Sequence, residues 1–394
     1  MRFFDERNET MDRAETEQFQ LERLQALIVR LRRNVRSRAE ELEGMTVESL
    51  EDIEKLPLLT PRMLAEHAPY GMFALPLREV IRLQSALGPG GRQLVIGHTR
   101  NDLLHWGRLV ARQLVAAGVT ASDVIQICFA GGAFEKSLGS LLGAELVEAS
   151  VIPQEPFHID EQLAMMRNYR ATVIVTTPTN AIELVELLEE QDVDPQSLQL
   201  KAVLLSRPVE EAEKARIKDG LMADVYCAFG VGEVLDPGIC VQCQEGRFHL
   251  NEDQFIAESV DGELVLTTLC REAIPLLRYR TAISAEIERC QCDCGRTGAV
   301  VIPGGRLDGR LLVNETPVYE VQIREVLNRI LDDNHPFRIE MAGRRVVISL
   351  EITREFFSDK MGRLTDIKEL VESEILSRLG IDAEIVYVNP SQDS

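Results

Sequence analysis

Between Asp123 and Phe229 the chain alternates short β-branched runs with amphipathic stretches of helical spacing. Asp123–Phe129, Glu148–Ile152, Thr172–Thr176, Lys201–Leu205 and Asp224–Phe229 read as strands, and 138–146, 160–169, 180–190 and 209–219 read as helices. This pattern predicts a mostly parallel sheet covered by helices on both faces. Ligands on such sheets bind beyond the carboxyl ends of the strands, where Gly131, Thr177 and Gly230 fall. The flanking regions have a different texture. Residues about 12–41 form an amphipathic helix with Leu24, Leu27, Ile28, Leu31 and Val35 on one face. Its Arg30, Arg32, Arg33 and Arg36 are expected to form a solvated face. From about Gly238 short strands and turns predominate, and from about Gly309 a helix–strand–helix–strand series closes the chain.

The most unusual local stretch is Ser85-Ala86-Leu87-Gly88-Pro89-Gly90-Gly91-Arg92-Gln93. It lies between two extended runs, Glu79–Gln84 and Leu94–Gly97. A P-loop or dinucleotide fingerprint would open directly into a helix, so this is a strand–loop–strand. By itself it reads better as a glycine hairpin with no ligand. Thr99 is a candidate N-cap for the helix that follows, and Thr60 with Pro61 at the first helical position marks another start.

The 394 residues are enough for two to three domains. A formal net charge of −21 argues against nucleic acid or an anionic membrane as partner, since both need a basic face. No apolar run is long enough to span a bilayer, and the first residues are charged, so a cytoplasmic protein is expected. Its eight cysteines are then reduced thiols or metal ligands rather than a disulfide framework.

Several segments, in order, resemble the phenylacetate–CoA ligases of the adenylate-forming superfamily. They are Leu56-Pro57-Leu58-Leu59-Thr60, Pro69-Tyr70-Gly71, the glycine loop, Gly97-His98-Thr99-Arg100-Asn101-Asp102-Leu103 and Val151-Ile152-Pro153. Further along come Thr177-Pro178-Thr179-Asn180-Ala181, Phe229-Gly230-Val231-Gly232-Glu233, Leu266-Thr267-Thr268-Leu269, Leu276-Leu277-Arg278-Tyr279-Arg280-Thr281 and Cys292-Asp293-Cys294-Gly295-Arg296. The resemblance implies an α/β fold with a large region over 1–307 and a small C-terminal α/β cap domain over 308–394. The large region joins parallel sheet and helices to a strand-rich part at about 238–303. It also implies ATP with magnesium, CoA and a small carboxylate as ligands, and a homodimer.

Carried over position by position, the resemblance assigns Gly88, Gly90, Gly91 and Arg92 to the phosphate loop and Phe229 and Gly230 to the adenine platform. Glu233 becomes a magnesium ligand, or else an ordinary loop carboxylate. Arg280 and Arg306 would serve the nucleotide, and Asp308 is either the pivot between domains or a turn residue. Phe134, Thr179 and Asn180 are candidates for the acyl pocket, though they fit plain packing as well.

The motifs also depart from the family pattern. Pro89 and Gly90 replace a threonine pair, so two hydroxyl donors and one N–H are lost, and Arg92-Gln93 replaces Lys-Pro. Leu205-Ser206-Arg207 does not match the adenine motif Gly-Ala-Glu. Gly232 replaces a hydroxyl residue. Ile283 stands where the family's Tyr-Arg-Thr-x-Asp has the aspartate that holds the ribose, a loss of roughly 1–3 kcal/mol. No lysine follows Lys368, whereas the family carries a catalytic one beyond the strand resembled by Ala383–Val388; such a cation is worth roughly 2.7–4 kcal/mol in the transition state.

Five of the eight cysteines and His249 fall between positions 240 and 294. Cys243, His249, Cys292 and Cys294 could form a closed Cys₃His zinc site of structural role, with Cys240 or Cys290 as substitutes. Scattered reduced thiols are the alternative. Cys128, Cys227 and Cys270 lie in or beside apolar strands and read as core. The expectation is therefore a ligase-like protein with a degenerate ATP site, retained for ligand binding or regulation. An active, divergent acid–CoA ligase is one alternative and an assembly subunit another.

Overall fold

The computed structural model describes residues 3–129, 134–152, 158–331, 335–342, 345–351 and 364–388. The chain divides into two compact units, Met1–Pro89 with Gln93–Leu307, and Gly90–Arg92 with Asp308–Ser394.

The first unit opens with helix α1 (Arg13–Asn34), whose buried face is Leu24, Leu27, Ile28 and Leu31. The helix is shorter than its apolar spacing predicts. Val35 turns to extended backbone and is still buried, so the helix is interrupted there and only a short turn of helix, Arg36–Ala39, follows. Arg33 and Arg36 are exposed as expected, whereas Arg30 and Arg32 are half-buried: Arg30 donates to the Arg271 carbonyl at 3.1 Å and Arg32 to that of Met45 at 3.2 Å. Strands β1 (Arg82–Leu87) and β2 (Gln93–His98) form an antiparallel hairpin with Leu87 opposite Gln93, which puts the glycine loop at its tip.

Helix α2 (Arg100–Ala116) starts at a capping box in which Thr99 accepts from the Asp102 N–H and Asp102 accepts from the Thr99 N–H. Next come β3 (Val124–Cys128), α3 (Phe134–Val147), β4 (Ser150–Ile152), α4 (Ile159–Tyr169), β5 (Val173–Thr176), α5 (Pro178–Glu190), β6 (Ala202–Leu205), α6 (Glu211–Leu221) and β7 (Asp224–Cys227). The five strands form one wholly parallel sheet in the order β4-β3-β5-β6-β7. Every residue of β5 and β6 is buried, as a strand covered on both faces requires.

A seven-stranded antiparallel sheet follows, built from β8 (Phe229–Val231), β9 (Leu235–Gln242), β10 (Phe248–Leu250), β11 (Phe255–Val260), β12 (Glu263–Thr268), β13 (Tyr279–Glu288) and β14 (Val300–Arg306). Its order is β11-β12-β13-β14-β10-β9-β8. One continuous core, from Leu24 to Val301, serves both sheets.

The second unit has its own core. Strands β15 (Leu311–Val313) and β16 (Thr316–Val318) pair, α7 (Glu320–Ile330) follows, and β17 (Phe337–Ala342), β18 (Arg345–Glu351) and β19 (Ala383–Val388) form a mixed sheet that α8 (Leu364–Leu379) joins. Val346, Ile348 and Leu350 alternate inward from β18 and are fully buried. Among the described residues no helix is long and apolar enough to cross a membrane.

Candidate nucleotide-site residues and a cysteine–histidine cluster

At the hairpin tip Gly90 and Gly91 take left-handed backbone angles, φ 63° and 81°, a region that suits glycine. Arg92 beside them is exposed. The turn joining β8 to β9 carries Gly232 and Glu233, and a Cβ at Gly232 would lie 3.9 Å from that of Ala86. The Glu233 turn therefore lies against β1, two residues before Gly88. The Glu233 side chain is buried. Phe229 is buried with its ring 6.1 Å from that of Phe248, so it packs as core.

On β13, Arg280 forms a salt bridge with Glu263, its Nε donating at 2.6 Å, and the same carboxylate accepts from the Ala282 N–H at 2.7 Å. Ala282 sits at φ 56°, and the β13–β14 register shifts between Ile283 and Ala285. Ile283 is buried and stands directly opposite Arg306. Glu263 had no signal in the sequence, since nothing local marks a partner seventeen positions before an arginine. In the second unit Asp308 accepts a hydrogen bond from the Tyr319 hydroxyl at 2.8 Å.

The acyl-pocket candidates separate. Phe134 opens α3, but its side chain lies outside the described residues, as does Gly131. Thr179 is half-buried in the first turn of α5. Asn180 is buried, donates to Gln162 at 2.9 Å, and lies 2.6 Å from the Thr176 hydroxyl, so its amide is engaged in linking α5, α4 and β5. Residues 389–394, where the chain carries no lysine, are also outside the described residues.

An apolar cavity of about 20 Å³ was not visible in the sequence. Leu114, Phe129, Val175, Leu204, Ala228 and Cys240 line it near the carboxyl ends of β3, β5 and β6. Each comes from a different element, so no local spacing announces them. It has room for one or two water-sized groups.

The cysteine–histidine group is tightly gathered: one ligand atom each from Cys243, His249, Cys292 and Cys294 all lie within 4.8 Å of one another. Cys243 and Cys292 sulfurs are 3.8 Å apart, too far for a disulfide, and Cys294 Sγ is 3.4 Å from His249 Nε2. A tetrahedral zinc centre with bonds of about 2.3 Å to sulfur and about 2.0 Å to nitrogen has edges of about 3.8 Å and 3.5 Å. The donor set and its spacing are compatible with zinc. His249 Nδ1 is 3.1 Å from the Gly298 carbonyl, which fixes the proton there and leaves Nε2 free to ligate. Burial pushes the Cys243 thiol up to about 12; backbone N–H groups of Arg247 and Glu245 oppose the rise, while Cys294 and Cys292 add to it. Burial also lowers His249, keeping it neutral. Cys240 and Cys290 are outside the cluster. Burial drives the Cys240 thiol well up, and the exposed Cys290 sulfur accepts from Arg247 at 2.9 Å.

Two units, a five-stranded parallel sheet and an attached antiparallel sheet define the fold of the adenylate-forming CoA ligases. A crystal structure of 2-hydroxyisobutyryl-CoA ligase, in complex with its acyl adenylate and CoA, superposes with a TM-score of 0.87 over 100% of this chain and 90% of that one, at 22% identity. No protein-family model matches the chain. A phenylacetate–coenzyme A ligase of Thermus thermophilus is 31% identical over 98% of this chain and 95% of its own length. One from Pseudomonas putida is 29% identical over 85% of this chain and 80% of its own length. The chain belongs to the phenylacetate–coenzyme A ligase family.

Proposed function

We propose that this family member keeps the fold as a small-molecule binding or regulatory protein and performs little or no acid–CoA ligation. The observation that carries the reading is Ile283, buried and apolar where the resembled motif has its ribose-holding aspartate. An isoleucine cannot accept from ribose hydroxyls, and those groups would be desolvated without partners. Pro89 and Gly232 support the same reading, because hydroxyl donors are missing from both turns. Arg280, with Glu263 as its partner, offers a nucleotide less than a free guanidinium would. We also infer a structural zinc ion at Cys243, His249, Cys292 and Cys294, a cytoplasmic location and self-association as a homodimer, with Asp308 as the pivot before the C-terminal unit.

The test is incubation with ATP, magnesium, CoA and a panel of aryl and short acyl acids. AMP release at the level of the blank is expected; turnover above it with any acid overturns the reading. The second reading, an active divergent acid–CoA ligase, is favoured by the full-length relationship to the Thermus thermophilus ligase and by Glu233 beside the glycine hairpin. It requires ATP to bind the native state, which raises stability by mass action. A thermal-shift titration with ATP and magnesium that shows no stabilisation removes it.

A further inference from the structure

Residues Phe3–Met11 lie on the loop that carries the third and fourth ligands of the cysteine–histidine cluster. Glu9, only 6% exposed, organises them. One of its carboxylate oxygens accepts from the Phe4 and Asp5 N–H groups, each at 2.9 Å. The other accepts from the Arg296 guanidinium at 2.7 and 3.0 Å. The Phe3 ring covers that guanidinium at 5.1 Å. Thr297 completes the seam, its hydroxyl donating to the Met11 carbonyl at 2.7 Å and its N–H to that of Glu9 at 3.3 Å.

The same three residues, 296–298, face the cluster from their other side. The Arg296 N–H donates to Cys294 Sγ at 3.4 Å, and the Gly298 carbonyl is the partner of His249 Nδ1. One short backbone segment therefore serves two metal ligands and the N-terminal residues together.

We infer that residues 3–11 form a strap whose docking is coupled to metal at the cluster, with Arg296 as the positioning residue between them. The inference rests on the zinc reading. By linkage the coupling runs both ways: metal holds the strap, and the docked strap raises metal affinity by the same factor. Because Asp5 on the strap also meets Arg108 and Arg112 of α2, at 2.9 and 3.1 Å, its release would free contacts on the parallel-sheet side of the unit.

The test uses the full chain. Zinc content and zinc affinity, the latter by chelator competition, are measured for the native protein, Glu9→Gln and the exposed-strap control Arg7→Gln. Amide exchange over 3–11 and over 100–128 is followed with and without zinc. Expected are one zinc per chain and, on zinc removal, a rise in exchange at 3–11 about tenfold greater than any rise at 100–128. Glu9→Gln should weaken zinc about tenfold, as loss of an outer partner does, and Arg7→Gln should not. Arg296→Lys, which keeps the backbone N–H and the charge, should fall between them. Stoichiometric zinc with unchanged exchange at 3–11, or with unchanged affinity in Glu9→Gln, overturns the strap and leaves the zinc reading standing. Equal loss of protection in both segments also overturns the strap, as general unfolding. Failure to bind zinc at all overturns both.

Discussion

At Gly230 a Cβ would lie 2.4 Å from Asp236 Oδ1, 2.5 Å from its Cα and 2.7 Å from the Leu235 carbonyl oxygen. Two of these are backbone atoms that cannot swing aside, so Gly230→Ala should cost about 1–3 kcal/mol in urea unfolding. His98 gives a pH-dependent counterpart. It is 1% exposed, stacked on Trp106 with ring centroids 5.3 Å apart, and its Nδ1 lies 3.2 Å from the Arg271 guanidinium. Burial, and then the charges of Arg271 and Arg82, depress it from 6.5 to about 2. The unfolded chain takes up this proton below about pH 6.5 and the folded chain does not. Stability from keeping the ring neutral is thus complete above that pH and lost as pH falls towards 2. His98→Phe preserves the stack and removes the titration. Between pH 7 and 5 the native protein should lose about 2 kcal/mol more than the variant, read from urea midpoints.

At the scale of elements, α2 is held by both ends. Its N-terminal Asp102 accepts from the Glu272 and Ala273 N–H groups at 2.7 and 3.1 Å, and near its other end the buried Arg112 pairs with Asp253 at 2.7 and 2.8 Å. Arg112→Met should cost about 3–5 kcal/mol, because Asp253 stays buried without its cation. Adding Asp253→Leu should recover much of the loss, a coupling that a double-mutant cycle measures directly. The start of α2 was legible in sequence, since Thr99 and Asp102 sit three positions apart. Arg112 was not, because its partner lies 141 positions away and only the tertiary fold selects it. The same division runs through the whole chain. The βαβ alternation and the cysteine cluster declare themselves through short spacings. The end of α1 at Asn34 does not, because Val35 continues the apolar pattern on an extended backbone. Nor do Glu263 beside Arg280, the carbonyl partners of Arg30 and Arg32, and the cavity under the strand ends.

At the scale of the whole molecule, each unit has a core of its own, Leu24 to Val301 in one and Val313 to Ile385 in the other. The cysteine–histidine cluster belongs wholly to the first. A bound zinc ion would cross-link β9 and β10 to the loop before β14, so its binding energy would be folding energy for that unit alone. The single tryptophan is a convenient reporter, since Trp106 is fully buried in the same unit. The second unit can be followed by amide exchange at Val346, Ile348 and Leu350, the buried face of β18. Removing zinc with a chelator should lower the Trp106 fluorescence midpoint, by on the order of 5 °C for each couple of kcal/mol lost. Exchange in β18 below that temperature should not change. If β18 loses protection in step with the Trp106 transition, the two cores unfold as one cooperative body and the ion stabilises both. If neither responds, the four side chains lie within ligating distance without their metal contributing to the fold.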